Sequence, residues 1–137
     1  MSDWISQYLD AWNNHDGAKV AAFMAQDATY EDLALGVIHE GLEAIKAFVD
    51  EAEQFSKDYT FASVSEQASG DRYAFEWEMA GTNTGEGGGL PATNKPYRIR
   101  GVSIGRLGPD GKIKENRDYW NMADYLTQVG LLPAPAA

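Results

Sequence analysis

The sequence predicts an α+β fold in which helices pack on one face of a strongly curved, mostly antiparallel sheet. In the first part of the chain, apolar residues recur at three- and four-residue spacing, which is the period of a helix. From Tyr59 onward the period changes to two, which is typical of strands. Helical segments followed by a run of strands favour the α+β class. A twisted sheet around three helices would form a cone with an apolar end and an open mouth.

Three helices and one short strand are predicted in the N-terminal part. The hydroxyl of Ser2 is suited to cap a first helix, which should end near Asn14. A short second helix is predicted with Val20, Ala21, Phe23 and Met24, and a third follows Gly41. The extended run Ala28–Asp32 lies between the second and the third helix.

The C-terminal part predicts strands and a short terminal helix. Strands are expected at 59–65 and at 73–80. The turn residues 108–111 join 96–107 and 113–121 into a hairpin.

Three further segments are predicted to lack regular structure. Residues 33–39 should form an irregular loop, and 131–135 a tail. Residues 84–89 are predicted to be a flexible surface loop. Their glycines follow no strand and open no helix, which argues against a phosphate-binding loop.

Composition narrows the class of protein. Residues 1–137 fit a single domain that is large enough to bury a core. The absence of cysteine excludes thiol catalysis and disulfides, and with two histidines we expect no metal centre and no cofactor. The net charge of −10 argues against nucleic acid and anionic membranes as partners. The start of the chain lacks a signal-peptide pattern, so we expect a cytoplasmic protein.

Asp32 is the first candidate for a general base. It lies where a strand would enter the cone, with Tyr8 and Tyr30 as candidate hydrogen-bond partners. Apolar walls would raise the pKa of its carboxyl towards useful basicity. The alternative is that Asp32 caps or turns the loop that follows it.

Asp118 is a second candidate. Strand alternation sends Arg117, Tyr119 and Asn121 to one face and Asp118 and Trp120 to the other. The sequence does not show which of these faces is concave.

The outer side of the sheet is predicted to carry a charged ladder and an interface. Arg98 and Arg100 share a face and are expected to pair with glutamates of strand 73–80. A homodimer is expected through the exposed face of the sheet, with Trp77 or Trp120 on it.

A series of short motifs follows in a characteristic order and spacing: Tyr8–Asp16, Asp27–Asp32, Gly41–Ile45, Gly81–Gly85, Leu90–Lys95, Asp110–Ile113, Arg117–Asn121 and Gln128–Gly130. With these motifs the chain resembles, over nearly its whole length, the nuclear-transport-factor-2-like superfamily and within it the SnoaL-like polyketide cyclases. The resemblance implies a cone-shaped, cystatin-like α+β barrel. The superfamily includes isomerases, dehydratases, epoxide hydrolases and cyclases, but also subunits that only bind.

Individual matches imply roles for single residues. Tyr8 and Asp32 are similar to the pair in ketosteroid isomerase, where the tyrosine donates to a developing oxyanion and the aspartate moves a proton. Ser103 matches that enzyme's second oxyanion donor. In the cyclases, the acid-base aspartate falls on Asn121 and a common histidine falls on Asn83.

The resemblance and the residues together predict a cofactor-independent enzyme that transfers a proton next to a carbonyl. Its substrate would be a mostly apolar, oxygenated small molecule of polyketide, terpenoid or steroid type, which it would isomerise, cyclise or dehydrate. Asp32 would shuttle the proton, and Tyr8 or Tyr30 would stabilise the enolate. Substrate binding is assigned to Trp12, His39, Trp77, Asn83, Ser103, Tyr119 and Asn121. The alternative is a catalytically silent module of the same fold that binds a small ligand or a partner.

Overall fold

The computed structural model describes residues 3–86 and 90–133. Its N-terminal elements are α1 (Asp3–Asn13), α2 (Gly17–Ala21), β1 (Met24–Asp32), β2 (Val37–Glu40) and α3 (Leu42–Glu51), which continues into a 3₁₀ turn (Ala52–Gln54). Its C-terminal elements are β3 (Thr60–Ser69), β4 (Arg72–Thr82), β5 (Pro96–Leu107), β6 (Ile113–Trp120) and α4 (Met122–Gln128). The predicted cap Ser2, and parts of the predicted loop 84–89 and of the tail 131–135, lie outside the described residues.

The strands of the described residues form one six-stranded sheet in the order β2-β1-β6-β5-β4-β3. All neighbours are antiparallel except β1 and β6, which run parallel. The predicted α+β class with a mostly antiparallel sheet is therefore confirmed. Within the described residues, no helix is long and apolar enough to cross a membrane.

The predicted loop 33–39 is wrong in its second half, because residues 37–40 form β2. This strand pairs with β1 from Thr29 opposite Glu40 to Asp32 opposite Val37. Gly36, with φ 71°, allows the turn between the two strands. A run of four residues is too short to show strand periodicity in the sequence. β2 is a strand because its backbone pairs with β1.

The core lies between α1 and the inner face of the sheet. β4 alternates as predicted and buries four large side chains, Tyr73, Phe75, Trp77 and Met79. α1 buries the stripe Ile5, Tyr8, Leu9 and Trp12 against them. Each such burial contributes about 1.5–3 kcal/mol, so the aromatic side chains stabilise this packing strongly.

The outer face of the sheet carries the predicted ion-pair ladder. Glu78 accepts from Arg98 at 2.5 Å and lies 3.9 Å from Arg100. Trp77 is buried on the opposite, inner face, and Trp120 packs edge-to-face on Tyr125 of α4. Placing either tryptophan in an outer interface was therefore wrong, because strand alternation directs both rings towards the helices.

β4 and β5 are in close contact where the ring of Trp77 covers Gly101. Gly101 lies opposite Trp77, and a Cβ at Gly101 would lie 2.4 Å from the indole ring. Gly101→Ala should therefore lower the free energy of unfolding in urea by about 1–3 kcal/mol. Gly108→Ala is the control, because its Cβ would meet its nearest neighbour at 3.4 Å. Equal losses in the two variants would contradict this account.

A candidate active site around a buried aspartate

A small cavity of about 20 Å³ lies between α1 and the inner face of the sheet. It is lined by Tyr8, Leu9, Trp12, Tyr30, Phe61, Phe75, Trp77, Ser103 and Asp118. Its volume is sufficient for about one water molecule. Aromatic rings dominate the wall, and one carboxyl group lies within it.

Asp118 is the acidic group of this cavity. It is 6% exposed and lies on the inner face of β6, in the register that also turns Asn116 inward. Its Oδ1 accepts hydrogen bonds from Ser103 Oγ at 2.6 Å and from Asn116 Nδ2 at 2.9 Å. Its Oδ2 accepts from the hydroxyl of Tyr30. The sequence did not show which face of β6 is concave. In the structure it is the face that carries Asp118 and Asn116.

Burial raises the pKa of Asp118 from 3.8 to about 6. The hydrogen bonds from Ser103, Tyr30 and Asn116 oppose this rise, while the nearby charge of Asp32 adds to it. A carboxyl group that changes charge near neutral pH is well matched to accepting and returning a proton.

Tyr8 contributes a hydroxyl without a partner. The residue is 2% exposed, and its hydroxyl makes no hydrogen bond in the described structure. Burial, with the charge of Asp118 second, raises the pKa of Tyr8, so the hydroxyl stays a donor. The side chains of Trp12 and Tyr30 oppose this rise in pKa, but neither is placed to form a hydrogen bond with the Tyr8 hydroxyl. A buried polar group normally has a partner, so this hydroxyl marks a position suited to a ligand oxygen or a water.

Asp32, the first candidate from the sequence, has a different environment. It is buried, its Oδ1 accepts from the backbone N–H of Leu35 at 2.9 Å, and both oxygens lie 3.0 Å from Trp120 Nε1. It pairs with Asp118 in the parallel register but does not line the cavity. These contacts match the alternative in which Asp32 fixes the turn after its own strand.

Five of the ten predicted site residues line the cavity together with Asp118: Tyr8, Trp12, Tyr30, Trp77 and Ser103. A sixth, Asp32, lies on the neighbouring strand and outside the cavity wall. The other four lie elsewhere. Tyr119 is 47% exposed on the outer face, and Asn121 caps α4 by accepting from the N–H of Asp124. The buried amide of Asn83 donates to Pro91 O at 3.1 Å and to Thr93 Oγ1.

His39 lies on β2 and stacks on Phe48 of α3, with ring centroids 4.3 Å apart. Its Nε2 is buried without a partner in the described structure, and it is not among the residues that line the cavity. Burial lowers the pKa of His39, against the charges of Glu51 and Asp32.

The sequence analysis did not single out Asn116, which donates to Asp118. The available signal was its position two residues before Asp118 on the same strand, which places both side chains on one face. Among residues 3–86 and 90–133, no three histidine, aspartate or glutamate side chains are grouped so as to hold a metal ion.

The comparisons with known proteins agree with this architecture. A model of the SnoaL-like domain family matches residues 5–116, and the chain belongs to this family. No curated protein matches the chain significantly.

Solved structures show the same fold at low identity. A protein of Catenulispora acidiphila DSM 44928 with a ketosteroid isomerase-like fold, crystallised with trimethylamine, is 20% identical with a TM-score of 0.83, covering 93% of this chain and 92% of that one. IdmH of Streptomyces antibioticus, a proposed polyketide cyclase, is 23% identical with a TM-score of 0.80, covering 93% and 96%. SalBIII, an epoxide hydrolase/cyclase-like enzyme of pyran ring formation in salinomycin, is 22% identical with a TM-score of 0.72, covering 88% and 89%. The predicted nuclear-transport-factor-2-like fold is confirmed.

The raised pKa of Asp118 predicts how stability depends on pH. The folded state holds the proton of the Asp118 carboxyl group more tightly than the unfolded state does. Protonated Asp118 therefore contributes to stability, and this contribution is fully present below about pH 4. That contribution is lost as the pH rises through about 6, and the loss amounts to about 3 kcal/mol of stability. The isosteric variant Asp118→Asn has no such loss. Its stability relative to the wild type should therefore increase by about this amount between pH 4 and pH 7, measured by chemical denaturation.

Asp10→Asn is the control, because Asp10 is exposed on α1. Its stability relative to the wild type should stay within about 0.5 kcal/mol across this range. A constant difference between Asp118→Asn and the wild type from pH 4 to pH 7 would show that Asp118 is not held in its protonated form.

Proposed function

We propose that the protein is a cofactor-independent enzyme that transfers a proton at a carbon next to a carbonyl group. The observation that carries this proposal is the buried Asp118 carboxyl, with its pKa of about 6, in one aromatic cavity with the unpartnered hydroxyl of Tyr8. The two groups supply a base and an oxyanion donor, which are the two functions that enolisation requires.

In the proposed reaction, the carboxylate of Asp118 takes the proton from the carbon, and the electron pair of the C–H bond moves into an enolate. The hydroxyl of Tyr8 donates to the enolate oxygen as negative charge develops there. Asp118 is now a neutral acid and returns its proton to another carbon in an isomerisation, or to a leaving or newly formed oxygen in a dehydration or cyclisation. The enzyme ends in its starting form, so no redox partner is needed.

A substrate larger than water can bind only if the cavity wall moves. Eight of the nine lining residues are buried, and Phe61 on the edge strand β3 is the half-buried one. The backbone of Phe61 is fixed to α1, because its N–H donates to Asn13 Oδ1 at 2.6 Å and its carbonyl accepts from Asn13 Nδ2 at 3.0 Å. We therefore assign access to a rotation of the Phe61 ring with the strand held in place.

The structural neighbours support a polyketide-type substrate. IdmH is a proposed polyketide cyclase, and SalBIII has a role in forming a pyran ring. Asn83 and Asn121, which match acid-base positions of the cyclases but make structural hydrogen bonds, favour a second candidate, a catalytically silent module of this fold that binds a ligand or a partner.

The proposed chemistry predicts that substitutions of Asp118 and of Asp32 have different effects on the reaction rate. Wild-type protein should catalyse exchange of the α-protons of cyclic ketones with D₂O, followed by NMR, with a rate that rises as pH passes about 6. Asp118→Asn should slow this exchange by about 10²–10⁴-fold. Tyr8→Phe should slow it by about 10²–10³-fold.

Asp32→Asn is the comparison variant, since Asp32 fixes a turn and does not line the cavity. Because the charge of Asp32 adds to the raised pKa of Asp118, this variant should move the pH profile of exchange to lower pH and keep the rate at high pH. Exchange by Asp118→Asn at the wild-type rate would reject the proposed base. Ketone binding without exchange, in the wild type and in Asp118→Asn alike, would favour the silent binding module.

We also propose a homodimer formed through the outer face of the sheet. An open groove on the sheet is lined in part by Ala74, Ile104 and Arg117. The register continues this row from Arg117 through Glu31 to Ile38, which is 58% exposed. Among the described residues, Arg117 has no carboxylate within ion-pair distance. A second copy packed across a two-fold axis would cover the apolar side chains of this row.

Ile104→Glu should abolish this dimer, because it places a charge in the centre of the proposed interface. Sedimentation equilibrium at micromolar concentration should show a dimer for the wild type and a monomer for the variant. Leu132→Glu, which changes an exposed leucine after α4, should leave the dimer intact. A monomeric wild type would reject the proposal.

With this function we retain the sequence-based predictions that residues 1–137 form one domain and that the protein is cytoplasmic. The net charge of −10 supports the prediction that neither nucleic acid nor an anionic membrane is a partner.

A further inference from the structure

We infer that Asn116 is a positioning residue which, with Ser103, occupies Oδ1 of Asp118 and thereby leaves Oδ2 to accept the substrate proton. This inference rests on the proposed proton transfer and adds to it which oxygen reacts and what selects that oxygen.

The hydrogen bonds of the carboxylate are unevenly distributed. Oδ1 accepts from Ser103 Oγ at 2.6 Å and from Asn116 Nδ2 at 2.9 Å, whereas Oδ2 accepts from Tyr30 alone. Each carboxylate oxygen has about two lone pairs directed at donors. Both lone pairs of Oδ1 are therefore occupied, and one lone pair of Oδ2 remains for a proton.

A hydrogen bond from Tyr73 fixes the orientation of the Asn116 side-chain amide. The hydroxyl of Tyr73 donates to Asn116 Oδ1 at 2.6 Å, which leaves the amide nitrogen to face Asp118. Asn116 is 1% exposed, so water does not compete for its amide. A flipped amide would place its oxygen against the carboxylate, which is repulsive while Asp118 is ionised.

Ser103 is fixed in a comparable way. Trp77 Nε1 donates to Ser103 Oγ at 3.0 Å. Because an indole N–H can only donate, the serine hydroxyl receives this bond as an acceptor and directs its own proton to Asp118. Tyr73–Asn116 and Trp77–Ser103 thus form two donor chains that end on the same oxygen atom.

These chains act on a carboxyl group that few other charges face. The titratable groups that interact with Asp118 are Tyr8 on α1, Tyr30 and Asp32 on β1, and Tyr73 on β4. The three tyrosines are neutral donors, since burial raises the pKa of each. The two chains therefore stabilise the ionised form of Asp118 by hydrogen bonding without adding positive charge.

The test measures the pKa of Asp118 by NMR in protein labelled with ¹³C at its aspartate carboxyl carbons, with the signal assigned by Asp118→Asn. Asn116→Leu removes a donor to the ionised form and should raise this pKa by about one unit or more. Tyr73→Phe removes a single oxygen, loosens Asn116, and should raise the pKa by a few tenths of a unit. It keeps the test decisive if Asn116→Leu fails to fold.

Tyr97→Phe is the matched control. It also removes one buried hydroxyl, which donates to Ser56 Oγ at 2.7 Å, but this hydroxyl makes no contact with Asp118. It should leave the pKa of Asp118 unchanged. If Asn116 had only a structural role, Asn116→Leu and Tyr97→Phe would lower the melting temperature alike without changing that pKa, and this result would overturn the inference.

The NMR measurement uses no substrate, so its failure can be told apart from failure of the proposed function. An unchanged pKa in both Asn116→Leu and Tyr73→Phe, with exchange still dependent on Asp118, rejects the positioning role alone. A raised pKa supports the role of Asn116 even if no ketone is turned over. Where exchange is observed, its pH profile should move to higher pH in step with the pKa.

Discussion

The burial of one carboxylate beneath a layer of aromatic rings is the constraint on which the candidate site depends. Asp118 tolerates this environment because four elements of the fold arrange partners around it. Tyr30 comes from β1, Ser103 from β5 and Asn116 from β6 itself, while Tyr73 of β4 supports Asn116. These hydrogen bonds only partly offset the cost of burial, so its pKa still rises to about 6.

A protein that needed only stability would have little reason to keep this arrangement. Apolar side chains of similar size would fill the same space without the desolvation cost of a buried acid. The unpartnered hydroxyl of Tyr8 adds a second cost in the same cavity. Two unfavourable groups within one aromatic wall are typical of a site that is retained for its chemistry.

The wall itself limits what can bind. Its rings pack edge-to-face, with Phe61 in contact with both Trp12 and Trp77 at centroid distances of 5.4 and 5.3 Å. This packing explains why a cone with a wide mouth, expected from the fold class, holds only about 20 Å³ in this structure. In this chain, the side chains that fill the cone therefore limit the ligand more than the backbone that forms it.

The sequence by itself determined the strands β3 to β6, the family and most of the aromatic wall, because these follow from local periodicity and ordered motifs. It also determined the helices, except that the predicted second helix ran on to Met24, which begins β1. Tyr8, Trp12, Tyr30, Trp77 and Ser103 were all named from the sequence, Ser103 through its match to ketosteroid isomerase, and all five line the cavity. Only the tertiary structure showed which of the two aspartates, Asp32 or Asp118, lines the cavity. The two aspartates pair in a parallel register, and what distinguishes them is the set of partners that each one meets. Asp32 meets the N–H of Leu35 and the indole of Trp120 near the edge of the sheet, and Asp118 meets the cavity. Contacts between residues far apart in the chain determine that difference, and no local pattern records them.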